Sequence, residues 1–189
     1  MSLTDHSKPL SALASAAGRV RRDLQFSRIF TVDLVASAGY VAATLFFLQD
    51  AEASPLGLAL ILALIAAYAG LHVAKIFLII HLERQGGDAR QFVGSDTLVT
   101  SGFYGWSRNP VYAVTIVQSL IWTLLLARLA CGQPMAWLGY LVAPLLLAGH
   151  FRGIDRLVIP HEEAALRNAH PEAYALYARQ VRRWFGRRG

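Results

Sequence analysis

The chain carries the apolar run LGLALILALIAAYAGLHVAKIFLII at residues 56–80. A helix needs roughly 20 apolar residues to cross a bilayer, so this run is long enough to span it with a tilt. Two of its residues, His72 and Lys75, are polar and lie in its last third. We expect Lys75 to extend its ammonium to the membrane surface, whereas His72 either does the same or lines a cavity. The run therefore predicts a transmembrane helix.

Three further apolar segments flank this run. Residues 29–48 precede it, and residues 111–127 and 135–150 follow it. The last two are joined by the brief connector 128–134, which favours a tight antiparallel pair of helices. A chain in lipid must satisfy its own backbone hydrogen bonds, and helices do so within each segment. The fold class that we predict is an all-α integral membrane bundle with about four transmembrane helices.

The polar regions complete one predicted membrane domain over residues 1–189. Residues 9–26 place apolar side chains at helical spacing and predict an interfacial amphipathic helix, with a partly disordered basic tail as the alternative. The transmembrane bundle covers residues 29–151 in this prediction and includes a polar connection at 81–110. Residues 152–189 turn polar and rich in arginine. We expect them to form a cytoplasmic C-terminal helical segment.

Composition and charge support this assignment. Charged residues make up 16% of the chain, against roughly 25% in average soluble domains. The net charge is +6, but the arginines border apolar segments instead of forming one patch, which favours contacts with membrane lipids over nucleic acid. The lone cysteine, Cys131, excludes an intrachain disulfide. It has no neighbouring ligand residues, and we expect no metal site.

The positive charges of the loops predict the orientation. Five Lys and Arg residues precede the first span, three lie in the 81–110 connection and eight follow residue 151. The 49–55 turn has none and the 128–134 turn has one. Because Lys and Arg accumulate on the cytoplasmic side, both termini and the 81–110 connection are predicted to face the cytoplasm, most simply from an inner (cytoplasmic) membrane.

A first polar motif lies on that side, with LVTSGFY at residues 98–104 and RNPVY at residues 108–112. Gly102 permits a turn that other residues resist. Pro110 suits the first turn of a helix, which places Asn109 and free backbone N–H groups at a helix N-terminus. Such a terminus favours anionic groups such as a carboxylate. The alternative is an ordinary loop whose tyrosines and tryptophan form an interfacial aromatic belt.

A second polar motif, HEEAAL at residues 161–166, lies between Pro160 and Pro171. The two prolines predict a short helix that holds Glu162 and Glu163. Adjacent carboxylates point to different sides of a helix, so one can face a site while the other pairs with an arginine. The alternative is a solvated acidic turn.

An aromatic pattern follows the second motif. Tyr174, Tyr177, Val181 and Trp184 are spaced like one face of a helix. A helix with such an apolar face packs against other elements. We therefore expect this segment to return to the bundle.

Together the motifs read Leu-Val-Thr-x-Gly-x-Tyr, Arg-x-Pro-x-Tyr, Glu-Glu-x-x-Leu and Tyr-x-x-Tyr-x-x-x-Val-x-x-Trp. This order resembles the isoprenylcysteine carboxyl methyltransferase family, whose superfamily includes phospholipid N-methyltransferases. The resemblance covers roughly residues 96–185. It implies S-adenosylmethionine bound at the cytoplasmic membrane interface without a Rossmann domain, and a hydrophobic or lipid-like acceptor such as a prenylcysteine carboxylate or a phospholipid amine.

The resemblance also implies the residues of the site. The cofactor pocket would be formed by Leu98, Val99, Gly102, Tyr104, Arg108, Asn109, Pro110, Tyr112, Glu162 and Glu163. Glu162 would bind the amino group of the cofactor. We expect catalytic roles for Arg108, which would hold a carboxylate acceptor, and for Glu163, which would deprotonate an amine acceptor. Arg152 and Arg179 are the alternatives for the first role, and His161 and His81 are the alternatives for the second.

Two positions depart from the family pattern. Asn109 stands where the family has histidine, and His170-Pro171 stands where it has Phe-Gly. Asparagine keeps hydrogen-bonding capacity but cannot become a cation, which puts a proton-transfer role at residue 109 in doubt.

Two other functions fit the sequence. An NADPH-dependent membrane reductase of steroids or enoyl lipids has a similar C-terminal half but generally carries Asn-Tyr-x-Gly-Glu, whereas this chain reads NPVYAV at residues 109–114. A non-catalytic membrane accessory protein would keep the fold alone. Loss of nicotinamide absorbance with a lipid enone would favour the reductase, and failure to bind either cofactor would favour the accessory protein.

Overall fold

The structure is a computed structural model, and it describes residues 31–48, 54–87 and 97–188. The interfacial helix predicted for residues 9–26 lies outside the described residues. A short 3-10 helix, Gly102–Gly105, lies between the second and third helices, and a π-helical turn, Ile154–Val158, joins the fourth to the fifth. The helices are α1 (Thr31–Leu48), α2 (Pro55–Arg84), α3 (Pro110–Ala130), α4 (Ala136–Gly153), α5 (Ile159–Ala169) and α6 (Pro171–Gln180).

Local sequence explains where the long helices begin. At the start of α2 the Ser54 hydroxyl accepts a hydrogen bond from the Gly57 amide at 3.1 Å, and Pro55 occupies the first turn. A side-chain cap and an early proline are both typical of helix N-termini. Helix α3 likewise begins at Pro110, as the motif predicted. Helix α2 extends beyond the predicted 56–80 segment because His81 to Arg84 continue its last turn.

Helices α3 and α4 form an antiparallel pair. A Cβ at Gly139 of α4 would lie 2.5 Å from the Ala130 Cβ of α3, so the two backbones approach closely there. Toward the other end, the Ser119 hydroxyl lies 2.8 Å from the His150 imidazole. Residue numbers along α4 rise from Gly139 to His150 while those of their contacts in α3 fall from Ala130 to Ser119, so the two helices run in opposite directions.

Helices α1 and α2 complete the bundle on the same pattern. Phe47, near the end of α1, packs with Leu129 and Ala130 of α3. At the opposite end Asp33 of α1 meets His150 of α4. Helix α2 packs against α3. The start of α1, the end of α2, the start of α3 and the end of α4 therefore lie at one end of the bundle.

Three of the described helices, α1, α2 and α3, are long and apolar enough to cross a membrane. Helix α4 is not among them; its last turn carries His150 and Arg152, and Pro144 lies in its interior. The all-helical class is thus confirmed for the described residues. The fourth span stays a prediction.

The C-terminal segment differs from the prediction of one continuous helical face. Helix α6 ends at Gln180, and Val181 is extended at φ −116° and ψ 133°. The chain leaves the helix because its backbone pairs elsewhere: the Arg108 amide donates to the Arg182 carbonyl at 3.1 Å, and the Gly186 amide donates to the Trp106 carbonyl at 2.8 Å. Residues 152–189 are therefore helical only as far as residue 180 in the described part.

The return of this segment to the bundle is nevertheless observed. Tyr174, Tyr177 and Val181 form a buried cluster, against which Leu98 and Leu166 pack. Beyond the helix, the Trp184 ring stacks on Phe151 at the end of α4. The aromatic spacing thus reflects packing, although the backbone that carries it changes conformation at residue 181.

The contact of α1, α3 and α4 can be tested at Leu126, which is 1% exposed and packs with Tyr40 and Ala143. Lipid tails are as apolar as leucine, so Leu126→Ala should lose mainly packing, about 2 kcal/mol of the free energy of unfolding. Leu124→Ala is the matched control because Leu124 lies on the same helix and is 50% exposed. Thermal unfolding in nanodiscs measures both variants. Equal losses would contradict the assigned packing face of α3.

Candidate active site

A cavity of about 230 Å³ lies at the end of the bundle where α2 ends and α3 begins. Helix α5 contributes Glu162 and Glu163 to its wall, and the first motif contributes residues before and within the start of α3. The structure thus brings together two motifs that are about fifty residues apart in the chain. All the predicted cofactor residues except Gly102 line it: Leu98, Val99, Tyr104, Arg108, Asn109, Pro110, Tyr112, Glu162 and Glu163.

Gly102 has a different place in the structure. Its φ of +58° lies in the left-handed region that favours glycine. A Cβ on this residue would lie 2.6 Å from the His81 Nε2 atom at the end of α2. Gly102 therefore shapes the turn before α3 and lets the loop approach α2, and it does not line the cavity.

The C-terminal segment holds the first motif in place. The Tyr177 hydroxyl donates to the Tyr104 carbonyl at 2.7 Å. The side-chain amide of Asn109 donates to the Arg183 carbonyl at 3.1 Å and is buried, with 7% of the residue exposed. Asn109, which stands where the family that the motifs resemble has histidine, is thus a structural hydrogen-bond donor. These contacts hold the loop before α3 against the C-terminal segment.

Glu163 is bridged by two arginines. Its Oε1 atom lies 2.8 Å from Arg108 Nη2, and its Oε2 atom lies 2.7 Å from Arg183 Nη2. Burial alone would raise the pKa of the Glu163 carboxyl, but the Arg183 hydrogen bond and the charges of both arginines lower that pKa below its ordinary 4.5. Arg108 also donates to the Ala178 carbonyl at 3.2 Å. The two residues for which we expected catalytic roles therefore bind each other in this structure.

Glu162 has the opposite environment. It accepts a hydrogen bond from the Tyr112 hydroxyl and has no arginine partner among the described residues. Burial, aided by the negative charge of Glu163, outweighs the opposing Tyr112 hydrogen bond and raises the pKa of the Glu162 carboxyl to about 8. At neutral pH this carboxyl is mostly protonated unless a cation lies beside it. The Glu pair is thus divided, with one member in an ion bridge and the other facing the cavity.

The phenols of the site remain neutral. Burial raises the pKa of Tyr104 and Tyr177 well above the ordinary value, and it raises the pKa of Tyr174 to about 12. Neutral phenols donate hydrogen bonds and present aromatic faces to a ligand. Within the described ranges, no group of three or more His, Cys, Asp or Glu residues is placed to hold a metal ion.

Sequence reasoning missed several cavity residues. Asp33 of α1 and Lys75 of α2 both line the cavity. Lys75 thus lines this cavity, and the expectation that its ammonium reaches the membrane surface stays a prediction. The available signal was their position, since an ionisable residue within a span usually marks a functional site. The other missed lining residues are Ile79, Leu82, Gly87, Thr97, Val111, Leu166, Tyr174 and Tyr177.

The ion bridge gives a stability prediction. Glu163→Gln leaves two arginine side chains without their shared partner, which should cost about 3 kcal/mol of the free energy of unfolding. Glu172→Gln, on the exposed start of α6, is the matched control. Thermal unfolding at pH 7 measures the difference. Equal melting temperatures for the two variants would rule out the bridge as a stabilising contact.

The lowered pKa of Glu163 fixes the pH dependence. The folded pKa lies below the ordinary 4.5, so the stability from ionised Glu163 is complete above about pH 4.5 and is lost as pH falls through the folded value. Wild type should therefore lose more stability than Glu163→Gln between pH 5 and the acid limit of the fold, roughly pH 3. Parallel pH profiles for the two proteins would contradict this assignment.

Comparisons with known proteins add no assignment to this geometry. No family model, curated protein or solved structure matches the chain. The resemblance to the isoprenylcysteine carboxyl methyltransferase family accordingly remains a prediction from the motifs. In the cavity itself, Glu162 and Glu163 lie beside the start of α3, a helix that is long and apolar enough to cross a membrane.

Proposed function

We propose that this protein is an S-adenosylmethionine-dependent membrane methyltransferase that acts on a hydrophobic or lipid-like small molecule and not on nucleic acid. The observation that carries the proposal is Glu162, a carboxyl at the cavity wall with no cationic partner among the described side chains. A buried carboxyl of raised pKa favours a ligand that brings its own positive charge. The order of the sequence motifs supports the same assignment.

The lining residues have the chemistry that S-adenosylmethionine requires. Glu162 would bind the amino group of the ligand. The first turn of α3, beginning at Pro110, offers backbone N–H groups that favour a carboxylate. The aromatic faces of Tyr104 and Tyr112 would favour the positive sulfur by about 0.5–2 kcal/mol. Leu98 and Val99 supply an apolar wall.

Bound S-adenosylmethionine would supply the methyl group, whose carbon would bond to the lone pair of the acceptor as its bond to sulfur breaks and a neutral thioether leaves. The protein's part is to align the acceptor and to exclude water. The bridge from Arg108 through Glu163 to Arg183 suits this part because it fixes the loop before α3, helix α5 and the C-terminal segment to one another. We therefore assign Arg108 and Glu163 positioning roles, and the catalytic roles expected from the sequence stay untested.

The site is proposed to face the cytoplasm from an inner membrane. The cavity lies at the bundle end from which the 81–110 connection and the C-terminal segment emerge. The 81–110 connection carries three arginines and the C-terminal segment carries eight, and positive loops accumulate on the cytoplasmic side. Their arginines would contact anionic lipid head groups. A hydrophobic acceptor would reach such a site from the bilayer, whereas S-adenosylmethionine would enter from the water.

Isothermal titration of the protein in nanodiscs with S-adenosylmethionine tests the proposal directly. Wild type should bind, and Glu162→Ala and Arg108→Ala should each weaken binding about tenfold or more, since a charged hydrogen bond or the shape of the cavity is lost. Glu172→Ala should bind like wild type because Glu172 is exposed on α6. No binding by wild type would refute the proposal, and oxidation of NADPH with a lipid enone would then favour the reductase.

The raised pKa of Glu162 predicts proton release on binding. With a pKa of about 8 in the free protein, the carboxyl is about nine-tenths protonated at pH 7. A bound cation stabilises the ionised form, so binding should release up to about 0.9 proton. Titrations at pH 7 in two buffers of different ionisation enthalpy give this number. Glu162→Gln should release none, and equal release from both proteins would assign the proton to another group.

A further inference from the structure

A second cavity, of about 200 Å³, lies in the bundle between α1, α2, α3 and α4. It shares Asp33 and Lys75 with the cavity beside Glu162. Its wall also holds Ser119 of α3 and His150 of α4, which do not line the first cavity. Polar and ionisable side chains inside a helical membrane bundle are costly to bury, and they commonly have a function. The proposed methyl transfer gives Ser119 and His150 no role.

Three side chains of this wall form a hydrogen-bonded row. The His150 imidazole lies 3.0 Å from an Asp33 carboxylate oxygen through Nε2 and 2.8 Å from the Ser119 hydroxyl through Nδ1. His150 and Ser119 are both buried. A carboxylate, an imidazole and a serine hydroxyl in this order are the groups that activate serine as a nucleophile. Such a set is defined by its geometry and occurs in different chain orders and folds.

The carboxylate of this row fixes the proton of the imidazole. An ionised Asp33 can only accept a hydrogen bond, so a neutral His150 carries its proton on Nε2. Nδ1 then offers a lone pair to the Ser119 hydroxyl. That hydroxyl also lies 3.1 Å from the Thr115 carbonyl oxygen, and it can rotate between the two acceptors. When it turns to His150, its proton points at the atom that would remove it.

The wall also offers a hydrogen-bond donor for a developing negative oxygen. Gln118 lines the cavity and is 5% exposed, and its side-chain nitrogen forms no hydrogen bond with any described residue. Ser37, Tyr68 and His72 of the same wall are more exposed. A buried amide without a partner costs about 1–3 kcal/mol. Donors that bind the negative oxygen of a tetrahedral intermediate are the second requirement of acyl transfer.

The cavity reaches the outside of the bundle between α1 and α2. Ser37 of α1 and His72 of α2 line it and are also exposed. Their neighbours Leu34, Val73 and Ile76 are exposed apolar side chains. Since both helices are long and apolar enough to cross a membrane, a molecule with an apolar chain can enter this cavity from the bilayer.

We propose that Ser119 and His150 are the catalytic residues of a second active site, which hydrolyses an ester of an apolar carboxylic acid. Asp33 is the positioning residue that orients His150. Lipid esters suit the route of entry from the bilayer. The inference does not depend on the methyl-donor proposal, because it uses a different cavity and needs no cofactor.

The reaction has two halves. Ser119 Oγ bonds to the ester carbonyl carbon as its proton passes to His150 Nδ1, and the electron pair of the C=O bond moves onto the oxygen that Gln118 binds. The ester C–O bond then breaks, and the leaving alcohol takes the proton from His150. Water next bonds to the acyl carbon and gives a proton to His150. The acid leaves as Ser119 Oγ regains that proton.

An alkyl fluorophosphonate tests the site, because it phosphonylates a serine that a histidine activates and loses fluoride. In nanodiscs, wild type should become labelled, and mass spectrometry of its peptides should place the phosphonate on Ser119. Ser119→Ala should abolish the label, and His150→Gln should slow labelling at least about a hundredfold. Ser101→Ala is the matched control and should react like wild type, because Ser101 is an exposed serine outside this cavity.

Hydrolysis of p-nitrophenyl butyrate tests turnover. Wild type should hydrolyse it faster than Ser119→Ala, and Asp33→Asn should lower kcat at least about a hundredfold with little change in KM, since the proton of His150 is no longer held on Nε2. Absence of the phosphonate from Ser119 in wild type, or equal hydrolysis by wild type and Ser119→Ala, would overturn the inference. The site of labelling is read in wild type, so this decision holds even where a variant does not fold.

Discussion

The Glu163 carboxylate organises this protein by holding two arginines from different parts of the chain. Arg108 precedes α3, Glu163 lies on α5, and Arg183 lies beyond α6. A buried carboxylate is tolerated because both of its oxygens have a cationic partner, and the nearly buried Arg108 would itself be costly to bury alone. The three charges therefore require that three distant segments meet at one place. The cavity is the space that remains beside that meeting point.

The same bridge sets the chemistry of its neighbour. Glu162 is adjacent in sequence, but the helix directs its side chain away from both arginines and toward the Tyr112 hydroxyl. The negative charge of Glu163 therefore contributes to the raised pKa of the Glu162 carboxyl, and no cationic side chain in the described part of the chain opposes it. Glu163 stabilises the fold through its two arginines, whereas Glu162 has no cationic partner among the described residues. Two residues of the same type thus acquire opposite ionisation behaviour from their directions on one helical turn.

Much of this arrangement could be predicted from the sequence. Composition and long apolar runs identify the helices, because lipid imposes strict requirements on length and polarity. Pro110 and Pro171 mark helix starts, and the order of the motifs identifies residues that share the cavity. The predictions fail where the outcome depends on tertiary contacts. Helical spacing alone could not show that the chain leaves its helix at Val181 to pair with the loop before α3.

The contacts between side chains of different helices also could not be predicted from the sequence. Lys75 has the sequence context of a side chain that reaches for the surface, since it lies close to the end of an apolar run. Its direction is set by the rotation of α2 about its own axis, and that rotation depends on the side chains of α1 and α3 against which it packs. Asp33 and His150 are 117 residues apart, and no local pattern links them. Catalytic roles are also hard to predict from sequence, because a motif does not show that two of its residues, such as Arg108 and Glu163, form an ion pair with each other.

The π-helical turn at Ile154–Val158 has a consequence for the angular setting of the site. Each residue of an α-helix advances the side chains by about 100° around the axis, and a wider turn changes the phase of everything that follows. Helix α5 continues from α4 through this turn. The side chains of Glu162 and Glu163 therefore point in different directions around the helix axis from those they would have in an uninterrupted α-helix. Downstream of this turn, Glu162 faces the Tyr112 hydroxyl and Glu163 faces Arg108 and Arg183, and removing one residue from the turn would rotate both carboxylates by about 100°.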